Sequence, residues 1–148
     1  MNPAAVSPQM APAMRVYLVE DSPAVCERLQ SMLADIAGTQ AVGFAATAQE
    51  AIRGILAAQP DVVVLDLRLA DGSGLDVLRA LRRQGLERDA IDVYMLTNFA
   101  EEPYRRAAER LGVQGFFDKS TEFERVRDAL VARARAVRPD RINGLQLH

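Results

Sequence analysis

The sequence has very few of the residues from which nucleophilic enzymes and transition-metal sites are built. Among 148 residues there is one cysteine, Cys26, and one histidine, His148, which is the last residue. A single cysteine cannot form an internal disulfide. A single histidine leaves almost no room for Ser–His or Cys–His catalysis, or for a histidine-rich metal site.

The chain also lacks a surplus of basic charge and any long hydrophobic run. Its 20 acidic and 18 basic residues give a net charge of -2, which argues against a dedicated nucleic-acid surface. No apolar run approaches the roughly 18 residues of a membrane span. Residues 1–13 contain no basic residue and no apolar block, so they do not resemble a secretory signal. We therefore expect a cytoplasmic protein with no membrane partner.

The length and composition suit one globular domain with short extensions. At 49% hydrophobic and 26% charged residues, the chain can bury a core of its own. Residues 1–13 hold three prolines, four alanines and no charge, which predicts a flexible N-terminal extension. We place the folded domain at 14–138 and a C-terminal tail at 139–148.

Hydrophobic periodicity alternates between strand and helix along the domain. Ser22 and Pro23 predict the start of the first helix, Gly38 its end, and Thr47 the cap of the second helix. Five such strand–helix units predict an α/β fold, a doubly wound five-stranded parallel sheet with five helices on its two faces. The predicted strands cover 16–19, 42–45, 62–65, 91–96 and 113–117, and the helices cover 22–37, 47–59, 75–81, 101–111 and 123–137.

Polar residues that suit phosphoryl chemistry follow these strands. In such sheets ligands bind beyond the carboxyl ends of the strands, where this sequence has Glu20, Asp21, Asp66, Thr97 and Lys119. Three carboxylates without histidine or thiolate suit a hard divalent cation, above all Mg²⁺. An aspartate beside Mg²⁺ and a lysine can act as a nucleophile towards phosphorus.

Lys119 is the only lysine among 18 basic residues. A compact ammonium differs from the planar guanidinium of arginine, so we expect this position to require the amine itself. Chance is the alternative, but its place at the end of the last strand favours the functional interpretation.

Four motifs in order carry a resemblance to a known family. From about Arg15 to Val137 the chain resembles the receiver domain of bacterial two-component response regulators, which are CheY-like and flavodoxin-like folds with strand order 2-1-3-4-5. Asp21 and Asp66 lie 45 positions apart, Asp66 and Thr97 lie 31 apart, and Thr97 and Lys119 lie 22 apart. The matching segments are VYLVEDSPAV, VVVLDLRLADGSG, VYMLTN and GFFDKS.

The resemblance implies a role for each matching residue in the phosphoryl and metal sites. Asp66 is the implied phosphoacceptor, and Thr97 and Lys119 are expected to bind the phosphoryl group. The implied Mg²⁺ ligands are Asp66, Asp21 directly, Glu20 partly through water, and the backbone carbonyl of Arg68.

Two further roles concern the switch and the loss of the phosphoryl group. Phe116 takes the position of the switch aromatic. The resemblance implies that the new phosphoryl group recruits Thr97 and lets Phe116 turn inward. Arg68 and Phe99 flank the expected path of attacking water, so we predict that these two residues set the dephosphorylation rate and make the phosphorylated state long-lived. Asp118 is interpreted as a solvated neighbour rather than a ligand.

Two positions depart from the family pattern, and neither removes a reacting group. Ala70 stands four residues after Asp66, where the family usually has proline, and Ser120 follows Lys119, where proline is common after a cis bond. A cis bond without proline costs about 3–4 kcal/mol, so the sequence leaves the geometry after Lys119 open.

The expected function is a stand-alone receiver that accepts a phosphoryl group from a histidine kinase or a phosphotransfer protein. Its output is expected through a downstream protein or a homodimer, on the face of the fourth helix, fifth strand and fifth helix, without direct DNA binding. No enzymatic activity is expected beyond self-phosphorylation and autodephosphorylation. Three alternatives are the receiver part of a longer DNA-binding regulator, a receiver-like domain that is not phosphorylated, and an aspartyl-phosphate hydrolase, which would need an acid where Arg68 stands.

Overall fold

Strands and helices alternate through the described part of the chain. The computed structural model describes residues 13–85, 90–98 and 101–136. All five strands are parallel, in the order β2-β1-β3-β4-β5, which confirms the predicted fold and strand order. The elements are β1 (Met14–Val19), α1 (Pro23–Ala34), β2 (Thr39–Ala45), α2 (Ala48–Ala58), β3 (Val62–Leu65), α3 (Gly74–Arg83), β4 (Asp92–Thr97), α4 (Glu102–Arg110), β5 (Gly115–Asp118) and α5 (Phe123–Arg135).

The sheet is buried on both faces. Every residue of β3 and β4 is buried, as expected for central strands of a parallel sheet. One hydrophobic cluster joins the sheet to α2, α3 and α4, and a second joins it to α1 and α5. The helices therefore hold the strand ends in fixed positions, and those ends carry the polar residues singled out above.

The predicted helix starts are confirmed, but the first helix is shorter than predicted. Ser22 Oγ accepts a hydrogen bond from the Val25 N–H, and Thr47 Oγ1 accepts one from Glu50. Helix α1 ends at Ala34, not at Gly38. Ile36 was expected in the helix because it is apolar at helical spacing, and it is buried in the turn that follows.

Several strand boundaries also differ from those predicted. β1 begins two residues earlier than predicted, and β2 begins three residues earlier. β2 is an edge strand whose first three residues are not buried, so the sequence there lacks the apolar pattern of a strand. β5 begins two residues later, since the Val113 N–H still bonds to Ala108 O at the end of α4. The tail at 139–148 and nearly all of the N-terminal extension lie outside the described residues, as do Val137 and Pro139 at the predicted end of α5.

Arginine side chains fasten the helices at the amino ends of the strands. Arg15 Nη1 donates to Ala58 O at 2.6 Å, at the C-terminal end of α2. Arg133 on α5 reaches the first residue of β4, with 2.6 Å from its Nε to Asp92 Oδ2. These contacts tie α2 and α5 to the edge of the sheet opposite the polar cluster.

We expect Arg133→Ala to destabilise the protein by about 2 kcal/mol, because it removes a charge-assisted hydrogen bond from a buried carboxylate. The side chains of Arg133 and Asp92 are only 11% and 6% exposed. Urea unfolding measures the change. Arg79→Ala is the matched control: its 3.4 Å pair with Asp76 is about half exposed, and such pairs contribute about 0–1 kcal/mol. Equal losses in the two variants would contradict this prediction.

Candidate functional site

The predicted polar residues meet at the carboxyl ends of β1, β3, β4 and β5. Backbone pairing continues one residue beyond the strands: the Asp66 N–H donates to Val19 O at 3.0 Å, and the Lys119 N–H donates to Thr97 O at 2.9 Å. These bonds fix the backbone from which each functional side chain projects. Thr97 is fully buried at the end of β4.

Lys119 connects two of the three predicted carboxylates. Its Nζ lies 2.7 Å from Asp66 Oδ2 and 2.8 Å from Glu20 Oε1, and its side chain is 10% exposed. Burial alone would lower the pKa of Lys119, but the hydrogen bonds and charges of Asp66 and Glu20 outweigh it and the pKa is raised. The ammonium is therefore held charged beside the candidate phosphoacceptor.

Glu20 is buried and already engaged on both oxygens. Its Oε2 accepts a hydrogen bond from the Ser22 N–H at 3.0 Å, while its Oε1 faces Lys119. Burial raises the pKa of the Glu20 carboxyl, and the hydrogen bonds from Lys119 and Ser22 offset this only in part. Ser22 therefore both caps α1 and orients Glu20.

The three carboxylates suit a divalent cation. Oxygens of Glu20, Asp21 and Asp66 lie within 4.8 Å of one another. Asp66 Oδ1 is buried, and no group among the described residues donates a hydrogen bond to it. A buried carboxylate oxygen without a partner is costly, and a hard cation such as Mg²⁺ would satisfy it. Asp21 is exposed, so its carboxylate can reach a metal ion from the solvent side.

The loop after Asp66 is folded back against the site. It is closed by hydrogen bonds from Leu69 N–H to Gly72 O and from Gly74 N–H to Leu67 O. Arg68 lies within this loop, and its side chain is exposed. Its backbone carbonyl is the further metal ligand that the sequence predicts. A Cβ on Gly74 would collide with the Asp66 carbonyl, so the first residue of α3 must be glycine for this approach.

Phe116, the predicted switch aromatic, is buried. The ring is 6% exposed and belongs to the cluster beneath α2, α3 and α4. The buried ring occupies the inward position, and its expected turn on phosphorylation stays a prediction. The Arg105 guanidinium covers it, 4.8 Å from the ring centroid. Phe99, the other predicted aromatic, lies outside the described residues.

The connection after Lys119 takes the ordinary trans form. No peptide bond in the described ranges is cis, including the one before Ser120. Asp118 Oδ1 accepts hydrogen bonds from the Ser120 N–H at 2.8 Å and from its hydroxyl at 2.6 Å. Those hydrogen bonds lower the pKa of Asp118. Its carboxylate thus serves the turn, in agreement with its interpretation as a neighbour rather than a ligand.

The geometry also contains contacts that the sequence pattern did not reveal. The Glu20–Lys119 ion pair, the role of Ser22 in orienting Glu20 and the Arg105 contact to Phe116 were not predicted. The close approach of Gly74 to the Asp66 carbonyl was not predicted either. For this contact the sequence did contain a signal, because the glycines of the segment DGSG mark a tight loop directly after the acceptor strand.

Comparison with known proteins agrees with this arrangement. The family described as the response regulator receiver domain matches residues 16–131. The chain belongs to the response-regulator receiver family. Receivers of this family accept phosphoryl groups from histidine kinases and bind Mg²⁺ at an acidic pocket. They are generally signalling domains without enzymatic activity.

Individual relatives include longer regulators. The probable C4-dicarboxylate response regulator DctR of Halalkalibacterium halodurans is 29% identical over 119 residues, which are 80% of this chain and 50% of DctR. The transcriptional regulatory protein MalR of Bacillus subtilis is 32% identical over 117 residues, 79% of this chain and 48% of MalR. The receiver thus spans about half the length of these curated relatives.

Solved structures of receivers share the fold. The response regulator domain of Thermotoga maritima CheB is 25% identical with a TM-score of 0.72, covering 83% of this chain and 94% of that one. A LuxR-family two-component response regulator from Aurantimonas sp. SI85-9A1 is 30% identical with a TM-score of 0.70, covering 86% and 91%. Within the described residues of this receiver, no helix combines the length and hydropathy needed to cross a membrane.

Proposed function

We propose that this receiver accepts a phosphoryl group on Asp66 in a Mg²⁺-dependent reaction. The observation that carries the proposal is the state of the Asp66 carboxylate: Oδ2 is held at 2.7 Å by Lys119, and the buried Oδ1 has no donor among the described residues. One oxygen is thus oriented by a cation, and the lone pairs of the other remain available. That is the arrangement required of a carboxylate that attacks phosphorus beside a metal.

The residues divide the reaction among them. A carboxylate oxygen of Asp66 forms the new P–O bond while the P–N bond to the donor histidine breaks, and the imidazole leaves. Lys119 neutralises charge on the phosphoryl oxygens, and Thr97 supplies a hydroxyl from the end of β4. Asp21, Glu20, Asp66 and the Arg68 carbonyl would hold Mg²⁺, which supplies electrostatic stabilisation of the transferring oxygens when bound.

Acetyl phosphate provides the direct test of this function. With Mg²⁺, the intact mass of the protein is expected to rise by one phosphoryl group, and without Mg²⁺ the increase is expected to disappear. No mass increase under either condition would place this receiver among those that are not phosphorylated.

We further propose a protein contact, rather than DNA, as the output of the receiver itself. Residues 101–138 hold 9 basic and 7 acidic residues, and exposed pairs such as Arg106–Glu102 and Arg125–Glu122 neutralise part of that charge. Arg133 of α5 pairs with buried Asp92. Mixed charge suits a protein partner or a second copy, through the surface formed by α4, β5 and α5.

In a DNA mobility shift at physiological salt, we expect no sequence-selective retention of this chain, because a DNA surface needs uncompensated basic charge. Light scattering with and without beryllofluoride, a phosphoryl mimic, reports whether the partner is a second copy. Salt-sensitive, sequence-selective retention would overturn the proposed protein contact. We also propose that the receiver acts as a stand-alone protein in the cytoplasm. Its phosphoryl group would come from a histidine kinase or a phosphotransfer protein.

A further inference from the structure

A cleft of about 540 Å³ lies beside the carboxylate cluster, between helix α1, the end of β2 and the start of α2. Volumes of about 300–1,000 Å³ are typical of sites that hold small organic molecules. We call this space the α1–β2 cleft. Its size is sufficient for an organic ligand that carries both a ring and a polar group.

Much of the cleft wall is apolar. It is lined by Pro23 and Cys26 of α1 and by Phe44, Ala45 and Ala46. The side chain of Phe44 is 61% exposed, one of two large hydrophobic side chains that are exposed in the described part of the chain. A single exposed apolar residue is ordinary on a protein surface, but this ring belongs to the wall of a cleft, where the body of a ligand would cover it.

The same wall carries an excess of negative charge. Four of the ten described residues that line the cleft are acids and none is arginine or lysine, in a chain with 18 basic residues. Glu20 is paired with Lys119. Asp21, Glu27 and Glu50 form no ion pair with any described residue. The cleft therefore holds three carboxylates whose charge no described cation offsets.

Two of these carboxylates lie outside the predicted metal site. Among the described residues, the carboxylates close enough together to share a metal ion do not include Glu27 or Glu50. Glu50 is held in place by a hydrogen bond from the Ala46 N–H to its Oε1 at 3.3 Å. Burial raises the pKa of the Cys26 thiol, and the charges of Glu20 and Glu27 raise it further. The negative potential therefore extends into the cleft, beyond the carboxylates that suit Mg²⁺.

We propose that the α1–β2 cleft binds a small organic cation, an ammonium or amidinium group carried on an aromatic or aliphatic body. The carboxylates attract the charge, and the Phe44 ring contacts the cation or covers the apolar body. Other classes of ligand satisfy only part of the wall. The acids repel an anion, a neutral apolar molecule leaves the carboxylates unpaired, and a hydrated metal ion gains nothing from the apolar side chains. The proposal does not depend on phosphorylation of Asp66.

Phenethylammonium is the probe for this site, because it joins a phenyl ring to an ammonium group. In an NMR titration of the full chain, the amide signals of Cys26 and Phe44 should shift, with a dissociation constant on the order of a millimolar for a ligand of this size. 2-Phenylethanol keeps the ring without the charge and should bind at least about fivefold more weakly. Ethylammonium keeps the charge without the ring and should bind at least about tenfold more weakly.

Two variants test the wall itself. Phe44→Ala should weaken phenethylammonium binding at least about threefold, because it removes the ring from the cleft. Glu50→Gln should weaken it about two- to fivefold, since it removes one charge while keeping the shape and the acceptor for the Ala46 N–H. Both side chains are exposed, so the fold should persist in each variant.

Tyr104→Ala and Glu124→Gln are the matched controls. Tyr104 is the other exposed large hydrophobic residue, and Glu124 is an exposed acid of α5. Neither lines the cleft, so both variants should bind phenethylammonium as wild type does.

The outcomes decide the proposal in either direction. Binding of phenethylammonium that depends on Phe44 and Glu50, and not on the control positions, supports the site. If phenethylammonium does not bind, or binds no more tightly than 2-phenylethanol, the proposal is wrong. Wild-type affinity in both Phe44→Ala and Glu50→Gln also overturns it, because the probe then binds elsewhere. Failure of the proposed phosphorylation would be seen separately, as an unmodified Asp66 in a chain that still binds phenethylammonium.

Discussion

Asp66→Asn is expected to abolish phosphorylation of the receiver by acetyl phosphate completely. The amide has no nucleophilic oxygen of carboxylate character, while it keeps the size of the side chain and leaves the contact between Gly74 and the Asp66 backbone carbonyl unchanged. The Lys119 ammonium keeps its contact to Glu20, so the fold should persist. Intact-mass measurement after incubation with acetyl phosphate and Mg²⁺ decides the result.

Asp71→Asn is the matched control for that experiment. Asp71 is an exposed acid in the loop that follows the acceptor, and it is not part of the carboxylate cluster. Its variant should take up a phosphoryl group as wild type does. A phosphoryl mass in the Asp66 variant would move the acceptor to another residue and remove the basis of the proposed function.

The second large effect is expected from Asp21→Ala, which should lower Mg²⁺ affinity by more than about tenfold. Even groups that only orient metal ligands contribute about 10- to 100-fold, and Asp21 is the exposed carboxylate that can contact the ion directly. Glu20→Ala should cost less affinity, because both Glu20 oxygens are already engaged by Lys119 and Ser22. Calorimetric titration with Mg²⁺ compares the two variants.

Glu27→Ala controls for the loss of one negative charge near the site, because Glu27 is an exposed acid on α1. Its Mg²⁺ affinity should differ little from that of wild type, because the charge is screened by solvent and does not belong to the carboxylate cluster. Equal losses from Asp21 and Glu20, or a larger loss from Glu20, would show that the metal site is assembled differently from the arrangement proposed.

The sequence predicted the parts of this fold that local pattern controls. Alternating strand and helix signals determined the topology, and Ser22 and Thr47 were identified as caps because their chemistry acts within three residues. The errors fell where tertiary contacts decide. Thr39 joins β2 because its backbone pairs with Met14 of β1 across the sheet, and the local sequence pattern does not predict that pairing.

The candidate site shows the same division. Glu20, Asp21, Asp66, Thr97 and Lys119 could be placed together because parallel strands present their carboxyl ends at one edge. The partner choices could not be predicted: Lys119 binds both Glu20 and Asp66, and Phe116 is covered by Arg105. Those choices depend on side-chain length and direction across separate elements, which spacing in the chain does not encode.

The arginine contacts at the amino ends of the strands have a consequence for how this receiver can diversify. Three arginines each bind groups on elements distant in the chain, namely Arg15, Arg82 and Arg133. The amino-end edge of the sheet (the foundation rim) is therefore held by side-chain contacts between elements. The opposite edge, at the carboxyl ends of the strands (the reactive rim), carries the reacting groups, and loops connect the strands to the following helices there. Changes of loop sequence at the reactive rim, including grafts that alter partner choice, should therefore leave the folded scaffold intact, while equally small changes at the foundation rim should not.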